Sequence, residues 1–425
     1  MPSPHDLPGH ATADWAILAV FAVVYLGMFL GGLPRLKLDR SGVALLGAIA
    51  VIALAGLSVE DAARAIDLPT IVLLFAFMVV SAQMRLGGFY TAVTRRVGEL
   101  PLSYPALLAA LIGVAGALSA VFSNDIVCLA MTPVVARLCL QRGLNPVPFL
   151  LGLACSANIG SAATLIGNPQ NMLIGSVLQM PFAGYAAQAL PPVLISLVLL
   201  WGWLAFGPGA STAVATGPAP VRGHPQPVAE PAEADPVFDG WQTAKGLAVA
   251  LALMLVFLFT DWPRDVAALV GAGLLLLSRR LQSARVMGLI DWPLLILFMG
   301  LFVVNHALES TGLAARAVAW LGTQGVHLAD PGPLLVVSAV LSNLVSNVPA
   351  VMLLLPHLGA GGESAGAMLA LASTFAGNLL LVGSIANLIV ADLARRQGIT
   401  IDWKRHALTG IPVTLASLAV VWGWM

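Results

Sequence analysis

The sequence predicts an all-α polytopic membrane protein made of two inverted five-span repeats, each with a re-entrant hairpin and one broken transmembrane helix. Three observations predict this fold class. Hydrophobic residues make up 59% of the chain and charged residues only 9%, whereas soluble domains carry about 25% charged residues. Apolar segments of roughly 17–25 residues, the length that crosses a bilayer, recur along the whole chain. Finally, the second half of the chain repeats motifs of the first half in the same order.

The first repeat is predicted over residues 1–207. Its broken elements are indicated by polar residues inside apolar sequence, namely Ser123-Asn124-Asp125 in the hairpin and Gly167-Asn168-Pro169 in the interrupted span that follows it. Arg95 and Arg96 mark a short amphipathic segment that we expect to lie in the membrane interface. In chain order we predict spans at 15–33, 41–57 and 69–84, the interfacial segment at 88–100, the hairpin at 104–140, the interrupted span at 148–180 and a last span at 191–206.

A linker is predicted over residues 208–240, followed by the second repeat over residues 241–425. The linker is rich in Pro, Ala and Gly, carries four acidic residues, and has no apolar period. Such a composition cannot bury enough apolar surface to fold, so we expect a disordered connection between the two halves.

The internal repeat is visible as matched residues at a nearly constant offset. Asp67 and Asp291 are 224 positions apart, and Asn124 and Asn347 are 223 apart. The offset falls to 220 between Asn158 and Asn378, and to 216 between Asn171 and Asn387. The last step of four residues corresponds to about one helical turn. We therefore predict that one turn is lost near residues 161–164 while the helix break stays in register.

Charge asymmetry predicts how the chain is inserted. With the N-terminus outside, 17 of the 20 basic residues fall in inside segments, as the positive-inside rule requires. Each half then has five crossings, and because five is odd the two repeats have inverted topology. The prediction is a multi-pass protein of the bacterial inner membrane with both termini periplasmic and the linker cytoplasmic.

The lengths of the apolar arms favour re-entrant hairpins over full crossings. In the second half, residues 334–345 and 348–358 could each form only roughly 18 Å of helix, which is short of the roughly 30 Å hydrocarbon core. This segment must therefore turn near the membrane midplane. The first-half arms are long enough to span, so the same conclusion for residues 104–140 depends on the repeat.

Polar residues at the hairpin tips and helix breaks form the predicted substrate site. Half-helix N-termini present free N–H groups and C-termini present free carbonyls, which can hold an oxyanion, a hydroxyl ligand or a cation. Asparagine side chains both donate and accept hydrogen bonds, which suits a site that binds and releases. The candidate substrate-binding residues are Ser123, Asn124, Asn158, Asn168 and Asn171 in the first half, and Ser346, Asn347, Asn378, Ser384 and Asn387 in the second half.

Asp125 is the one carboxylate predicted at membrane depth, and its repeat partner is Val348. Burial disfavours the charged form of a carboxyl group, so Asp125 is the candidate for proton or cation coupling. The alternative is that Asp125 and Asn124 only cap the second arm of the hairpin.

Several classes of function are excluded or disfavoured. The net charge is zero, which gives no reason to expect nucleic acid binding, and no GxxxxGK[ST] loop is present for nucleotide hydrolysis. The three cysteines have no metal-ligand spacing, so we expect no metal site and no cofactor. An intramembrane protease would need two facing carboxylates, and only one is found. The protein is thus expected to be a transporter and not an enzyme.

These motifs resemble a known family. Ser123-Asn124-Asp125 and Gly167-Asn168-Pro169-Gln170-Asn171 look like the first-half motifs of the arsenite/antimonite efflux (ArsB-type) branch of the ion transporter superfamily, and Ser346-Asn347-Val348-Pro349 and Gly383-Ser384-Ile385-Ala386-Asn387 look like its second-half motifs. The Gly-Asn-Pro-Gln-Asn motif is also similar to inner-membrane anion permeases related to the SLC13 branch. The resemblance implies alternating access, a homodimer, and in some cases a soluble ATPase subunit.

Together with the polar site, this resemblance implies a secondary active transporter that exports a small inorganic oxy-species, such as arsenite or antimonite, in exchange for protons. The resemblance leaves two alternatives, a sodium/proton antiporter that uses Asp125 and a cation-coupled transporter of dicarboxylate or sulfate. The dicarboxylate branch has Ser-Asn-Thr at its tips, whereas here Asp125 and Val348 replace the threonine, which disfavours that branch.

Overall fold

The structure is a computed structural model that describes residues 8–33, 36–55, 57–207, 237–328, 330–358 and 362–425. Its regular structure is helical, apart from an isolated antiparallel bridge between Leu33 and Leu38. Most of the predicted linker lies outside the described residues. The second half begins with a helix at Gly240, which the side chain of Asp239 caps.

The described residues form twenty α-helices, which fall into two sets of ten in the same order. The first half contains α1 (Pro8–Leu30), α2 (Arg40–Ala55), α3 (Val59–Arg64), α4 (Leu68–Leu86), α5 (Phe89–Glu99), α6 (Tyr104–Val121), α7 (Asn124–Gln141), α8 (Pro146–Ser161), α9 (Pro169–Val177) and α10 (Phe182–Phe206). The second half contains α11 (Gly240–Phe259), α12 (Arg264–Leu276), α13 (Ser283–Met287), α14 (Trp292–Ser310), α15 (Leu313–Thr323), α16 (Pro331–Val345), α17 (Asn347–Leu354), α18 (Gly362–Ala376), α19 (Ile385–Arg396) and α20 (Trp403–Trp424).

The two halves also agree in local detail. Helices α4 and α14 follow Asp67 and Asp291 and have proline in their first turn. Helices α5 and α15 follow Gly88 and Gly312, which have φ of +70° and +69°, a conformation that glycine adopts without strain. The same start signals therefore sit at the same offset in both halves, and the predicted duplication is confirmed at the level of helix boundaries.

The halves are interlocked. Helix α2 packs on α14, and its equivalent α12 packs on α4; likewise α7 packs on α19, and α17 packs on α9. Each of these contacts between the halves therefore occurs twice, once with the roles of the two halves reversed. A twofold relation between the repeats produces such reciprocal contacts.

The length and composition of the helices agree with a multi-pass membrane protein. Among the described residues, seven helices are long and apolar enough to cross a bilayer, namely α4, α6, α7, α10, α11, α14 and α20. Shorter apolar helices include α2, α8 and α16. The all-α membrane fold class is thus confirmed.

Both hairpins are present. Helices α6 and α7 are separated only by Phe122 and Ser123, and α16 and α17 only by Ser346. At the open end of the first hairpin, Nη2 of Arg142 donates to the carbonyl of Leu100 across 2.6 Å. This bond joins the segments before α6 and after α7, so the first hairpin returns to the side from which it started.

The broken helices differ from the prediction in one respect. We predicted the first interruption at residues 167–169, but α8 ends earlier, at Ser161, and α9 begins at Pro169. The carbonyls freed by this early end are taken by side chains: the Tyr185 hydroxyl donates to Ala162 and Nδ2 of Asn171 donates to Thr164. In the second half, α18 ends at Ala376, two residues before Asn378, whereas α8 continues three residues past Asn158. This difference is the missing turn that the offsets predicted.

Candidate functional site

The tip of the first hairpin is held against the first helix break. Asn124 is the first residue of α7, and its backbone N–H donates to the carbonyl of Gly167 across 3.4 Å. The N–H of Ser123 donates to Oγ of Ser81 on α4 across 3.4 Å. These bonds bring the tip and the break together, as the sequence predicts.

Five side chains from both halves form one hydrogen-bonded group, which we call the amide cluster: Asn124, Asn158, Asn378, Ser384 and Asn387. Oδ1 of Asn158 accepts from Nδ2 of Asn124 at 3.2 Å and from the Ser384 hydroxyl at 2.9 Å. Nδ2 of Asn158 donates to Oδ1 of Asn378 at 2.8 Å and to Oδ1 of Asn387 at 3.2 Å. Asn158 is therefore the centre of the cluster and uses both ends of its amide.

The remaining amides of the cluster are oriented by backbone carbonyls. Nδ2 of Asn387 donates to the carbonyls of Gly377 and Leu380, at 2.9 Å and 3.3 Å. Nδ2 of Asn378 donates to the carbonyl of Cys155 at 3.5 Å. The unwound segment after α18 thus supplies the carbonyls that fix the donor end of Asn387, and α8 supplies the one for Asn378. The oxygens of both amides are left to face Asn158.

A second polar group surrounds the start of α9 and includes two residues that our prediction of site residues missed. Asn168 caps α9 by accepting from the N–H of Asn171 at 2.9 Å. Nδ2 of Asn168 lies 2.9 Å from the Ser161 hydroxyl and 3.4 Å from the Thr374 hydroxyl. Gln170 also donates to Thr374, at 3.1 Å. Gln170 could have been found from its place in the Asn-Pro-Gln-Asn motif, whereas Thr374 lies in an apolar helix and carries no such signal.

Two rings on the following helices were also missed. Tyr185 accepts from Nδ2 of Asn171 at 2.9 Å and donates to the carbonyl of Ala162 at 2.7 Å. Nε2 of His406 lies 2.9 Å from the carbonyl of Asn378. Each ring is the fourth residue of its helix. An alignment of α10 with α20 at an offset of 221 would have indicated both.

The tip of the second hairpin is arranged differently. Ser346 has φ of +78°, a strained value for a residue other than glycine. Asn347 is buried beside Gly377, since a Cβ added to that glycine would lie 3.1 Å from Nδ2 of Asn347. Asn347 makes no hydrogen bond to Asn378, although its equivalent Asn124 bonds to Asn158. Among the predicted residues, Ser346 and Asn347 therefore lie beside the amide cluster but outside its hydrogen bonds.

Several buried oxygens near the tips and breaks have no protein partner. Within the described part of the chain, Oδ1 of Asn124, Asn171, Asn343 and Asn347 accepts no hydrogen bond. A buried acceptor without a partner costs free energy, so such atoms are the ones that a bound solute can satisfy. Their chemistry suits hydroxyl groups, or a cation that takes oxygen ligands.

Asp125 lies next to the amide cluster but outside its bonding network. It is the second residue of α7 and is half-buried. In the described structure its carboxyl group forms no hydrogen bond or ion pair with another residue, and the N-cap residue Ser123 makes no side-chain cap bond either. The capping alternative is therefore not supported by a hydrogen bond, and the carboxyl group is left free beside the hairpin tip.

Comparisons with known proteins agree with this architecture. The profile of the family described as citrate transporter (CitMHS) matches residues 16–376. The silicon efflux transporter LSI3 of Oryza sativa subsp. japonica is 29% identical over 94% of this chain and 95% of its own length. Inner membrane protein YbiR of Escherichia coli is 31% identical over 83% of this chain and 86% of its own.

One solved structure shows a similar fold. The YdaH transporter of Alcanivorax borkumensis, described as having an unusual topology, superposes with a TM-score of 0.58 over 97% of this chain and 96% of its own. Its sequence identity is 15%, so the likeness concerns the fold alone.

Proposed function

The chain belongs to the CitMHS citrate transporter family, and from that premise we propose that it is a secondary transporter that exports a small neutral inorganic hydroxide in exchange for protons. Arsenous and antimonous acid are the substrates that we propose first. The family assignment and its transporter relatives establish the transporter class; the substrate, the coupling ion and the direction are the proposal.

The observation that carries the proposal is the composition of the amide cluster. Its five members are four amides and one hydroxyl, all buried, with no lysine, arginine, aspartate or glutamate among them. Transfer of a charge into such a site is costly unless the charge is paired. A neutral acid with several hydroxyl groups fits better, because each hydroxyl can donate to a free amide oxygen and accept from an amide N–H.

The same observation disfavours a polycarboxylate such as citrate, despite the family's description. Proteins usually bind carboxylates with arginine or lysine, which form short charge-assisted hydrogen bonds. The amide cluster offers none. One relative is a silicon efflux transporter, and silicon dissolved in water forms silicic acid, a neutral molecule with several hydroxyl groups. This relative supports the choice of a neutral solute.

We propose that the solute is held between two half-sites, one from each repeat. Asn158 and its hydrogen-bonded neighbours would be rearranged as the solute replaces their contacts with one another. The first half-site comprises Ser123, Asn124, Asn158, Asn168 and Asn171, and the second comprises Ser346, Asn347, Asn378, Ser384 and Asn387.

Asp125 is proposed to carry the proton. Its carboxyl group is half-buried beside Asn124 and has no competing partner among the described residues. A carboxyl group in this position can take up a proton when it faces one side of the membrane and release it on the other. We further propose periplasmic termini, a cytoplasmic linker at residues 208–240, and a homodimer that works with or without a soluble ATPase subunit.

The proposal is tested in proteoliposomes with an imposed pH gradient. Arsenous acid, silicic acid and citrate are offered one at a time, and uptake is measured with and without the gradient. We expect gradient-driven uptake of the two neutral hydroxides and none of citrate. Asp125→Asn should bind solute but lose the dependence on the gradient. Uptake of citrate alone, or full gradient-driven transport by Asp125→Asn, would overturn the proposal.

A sodium/proton antiporter is the second candidate. The free oxygens of Asn124, Asn171 and Asn347 favour it, since hard cations take amide oxygens as ligands. The same vesicles distinguish this antiporter from the exporter, because sodium alone should then move protons when neither arsenous nor silicic acid is present.

A further inference from the structure

The two helices that follow the broken spans each place one polar ring against the unwound backbone. Tyr185 is the fourth residue of α10, and His406 is the fourth residue of α20. Both rings are buried. The first half thus places a phenol, and the second half an imidazole, at the equivalent position.

The rings bind matching carbonyls. Tyr185 donates to Ala162 at 2.7 Å, and Nε2 of His406 lies 2.9 Å from the carbonyl of Asn378. Counted back from Asn171 and Asn387, both carbonyls lie nine residues upstream. Because a carbonyl only accepts, Nε2 of His406 must carry the hydrogen of this bond.

The two contacts differ in what they control. Ala162 has no polar side chain, whereas Asn378 is a member of the amide cluster and accepts from Asn158. His406 therefore fixes the backbone of a residue whose side chain belongs to the candidate substrate site. Gly410 allows this approach, since a Cβ there would lie 2.2 Å from the Asn378 carbonyl and 3.0 Å from Nε2 of His406.

An imidazole can do what a phenol cannot near neutral pH. It can gain a proton at Nδ1 while Nε2 keeps its hydrogen, so the bond to Asn378 survives in both charge states and becomes charge-assisted in the protonated one. A phenol stays neutral up to about pH 10. Protonation would thus add a positive charge directly behind Asn378 without breaking the contact that positions it.

Few other ionisable groups face this ring. Helix α20 packs on α8, α10, α16 and α18. The first three contain no charged residue and only two titratable ones, Cys155 and Tyr185, while α18 has Glu363 in its first turn, at the end away from Asn378. On α20 itself, Lys404 and Arg405 are exposed and Asp402 caps the helix.

We propose that His406 is a positioning residue of the second half-site, and that its protonation changes how strongly the amide cluster holds the solute. The pH dependence of transport would then have two origins, one at Asp125 and one at His406. The predicted effect on transport rests on the proposed function, whereas the predicted effect on unfolding does not.

The repeat itself supplies the matched variants. His406→Tyr installs the ring that the first half uses, and His406→Phe removes the hydrogen bond. In proteoliposomes between pH 5.5 and 8, we expect His406→Tyr to keep at least half of the wild-type maximal rate. Solute binding by Asp125→Asn should still depend on pH, and this remaining dependence is what His406→Tyr should lose. At pH 8, His406→Phe should lower apparent solute affinity about fivefold, as the loss of one hydrogen bond implies, and the affinity of this variant should lack the pH dependence that we assign to His406. A wild-type pH profile in His406→Tyr would overturn the proposal.

A second measurement does not depend on the solute. The unfolding midpoints of purified wild-type protein and His406→Tyr are compared in detergent at pH 5.5 and at pH 8. We expect the difference between the two proteins to change with pH, because a histidine at position 406 can bind a proton near neutral pH and a tyrosine there cannot. An unchanged difference would refute the inference, while the expected change together with no transport of any tested hydroxide would refute the proposed function alone.

Discussion

Asn158 and Asn378 occupy equivalent positions in the two repeats, and they are hydrogen-bonded to each other: Nδ2 of Asn158 donates to Oδ1 of Asn378 across 2.8 Å. Two repeat-equivalent residues can touch only near the axis that relates the repeats. The amide cluster is therefore built around that axis, where both hairpins and both broken helices converge. In transporters with inverted repeats, substrate sites lie at this repeat interface.

The central position of Asn158 leads to the first prediction. Asn158→Ala removes four side-chain contacts and leaves four buried polar partners without it, which should cost roughly 1–3 kcal/mol of stability and abolish solute binding. Thermal unfolding and a solute-binding assay measure the two effects. Ser417→Ala is the matched control, because Ser417 is buried in α20 and its hydroxyl has no partner within the described residues. Equal behaviour of both variants would contradict the central role of Asn158.

Close backbone contact between the first hairpin and the first broken helix gives the second prediction. A Cβ at Gly160 would lie 2.3 Å from the carbonyl oxygen of Gly116, a backbone atom that cannot move aside. Gly160→Ala should therefore push α6 from α8 and reduce both folding yield and transport severely. Gly113 lies one turn before Gly116 on α6, and a Cβ added there would have no neighbouring atom within 4 Å. Gly113→Ala should therefore leave stability unchanged or raise it slightly. Expression level and unfolding temperature distinguish the two, and a tolerated Gly160→Ala would show that the contact is not rigid.

The third prediction concerns reciprocal tryptophan contacts between α10 and α20. Nε1 of Trp203 donates to the carbonyl of Leu408 at 3.2 Å, and Nε1 of Trp424 donates to the carbonyl of Gln188 at 3.1 Å. These carbonyls lie four residues before Pro412 and Pro192, which have no N–H to bind them. Each indole thus satisfies a carbonyl that a proline has freed in the other half.

Replacement of either tryptophan should therefore loosen the contact between the halves. Trp203→Phe and Trp424→Phe are each expected to cost about 1 kcal/mol, the typical net contribution of one hydrogen bond. Trp241→Phe is the control, since Trp241 is exposed at the start of α11. Unfolding midpoints in detergent provide the measurement; if all three variants match wild type, the indole bonds are not stabilising.

The fourth prediction comes from an asymmetric pair of arginines. Nη2 of Arg264 donates to the carbonyl of Gly175 at 2.8 Å. The equivalent Arg40 makes no hydrogen bond to Ala391 in the described structure, and its Nε is buried without a partner. When inverted repeats exchange conformations during alternating access, contacts made by one repeat should pass to the other. We therefore expect Arg40 to bind near Ala391 in the opposite state and Arg264 to release Gly175.

Cysteine pairs bridged by a bifunctional thiol reagent can test this exchange. The pair Arg264→Cys with Ser176→Cys should be bridged at rest, and the bridge should block transport. The pair Arg40→Cys with Asp392→Cys should be bridged only while solute and a pH gradient drive turnover. The three native cysteines are buried and provide little background. Bridging of both pairs at rest would contradict the exchange.

The sequence by itself determined the class and the repeat of this protein. Apolar segments of spanning length leave few alternatives to a helical membrane fold, because backbone groups in lipid must be satisfied within helices. Glycine and Asp-x-Pro start signals set helix boundaries locally, which is why the duplication could be read from offsets alone. Polar residues in apolar sequence likewise identified Asn124, Asn158, Asn378, Ser384 and Asn387, since amides are retained at membrane depth only where they have partners.

The tertiary structure decided which of these amides meet. Asn158 joins residues up to 229 positions away, and no local pattern encodes such a contact. Tertiary packing also ended α8 at Ser161, earlier than the motif indicated, because Tyr185 and Asn171 capture the freed carbonyls. It separated Asn347 from Asn378 where symmetry alone would pair them, and it brought His406 to the Asn378 carbonyl through a glycine that leaves room for the approach. Side-chain pairing across two interlocked halves depends on the packing of whole helices, and the sequence of one segment does not contain it.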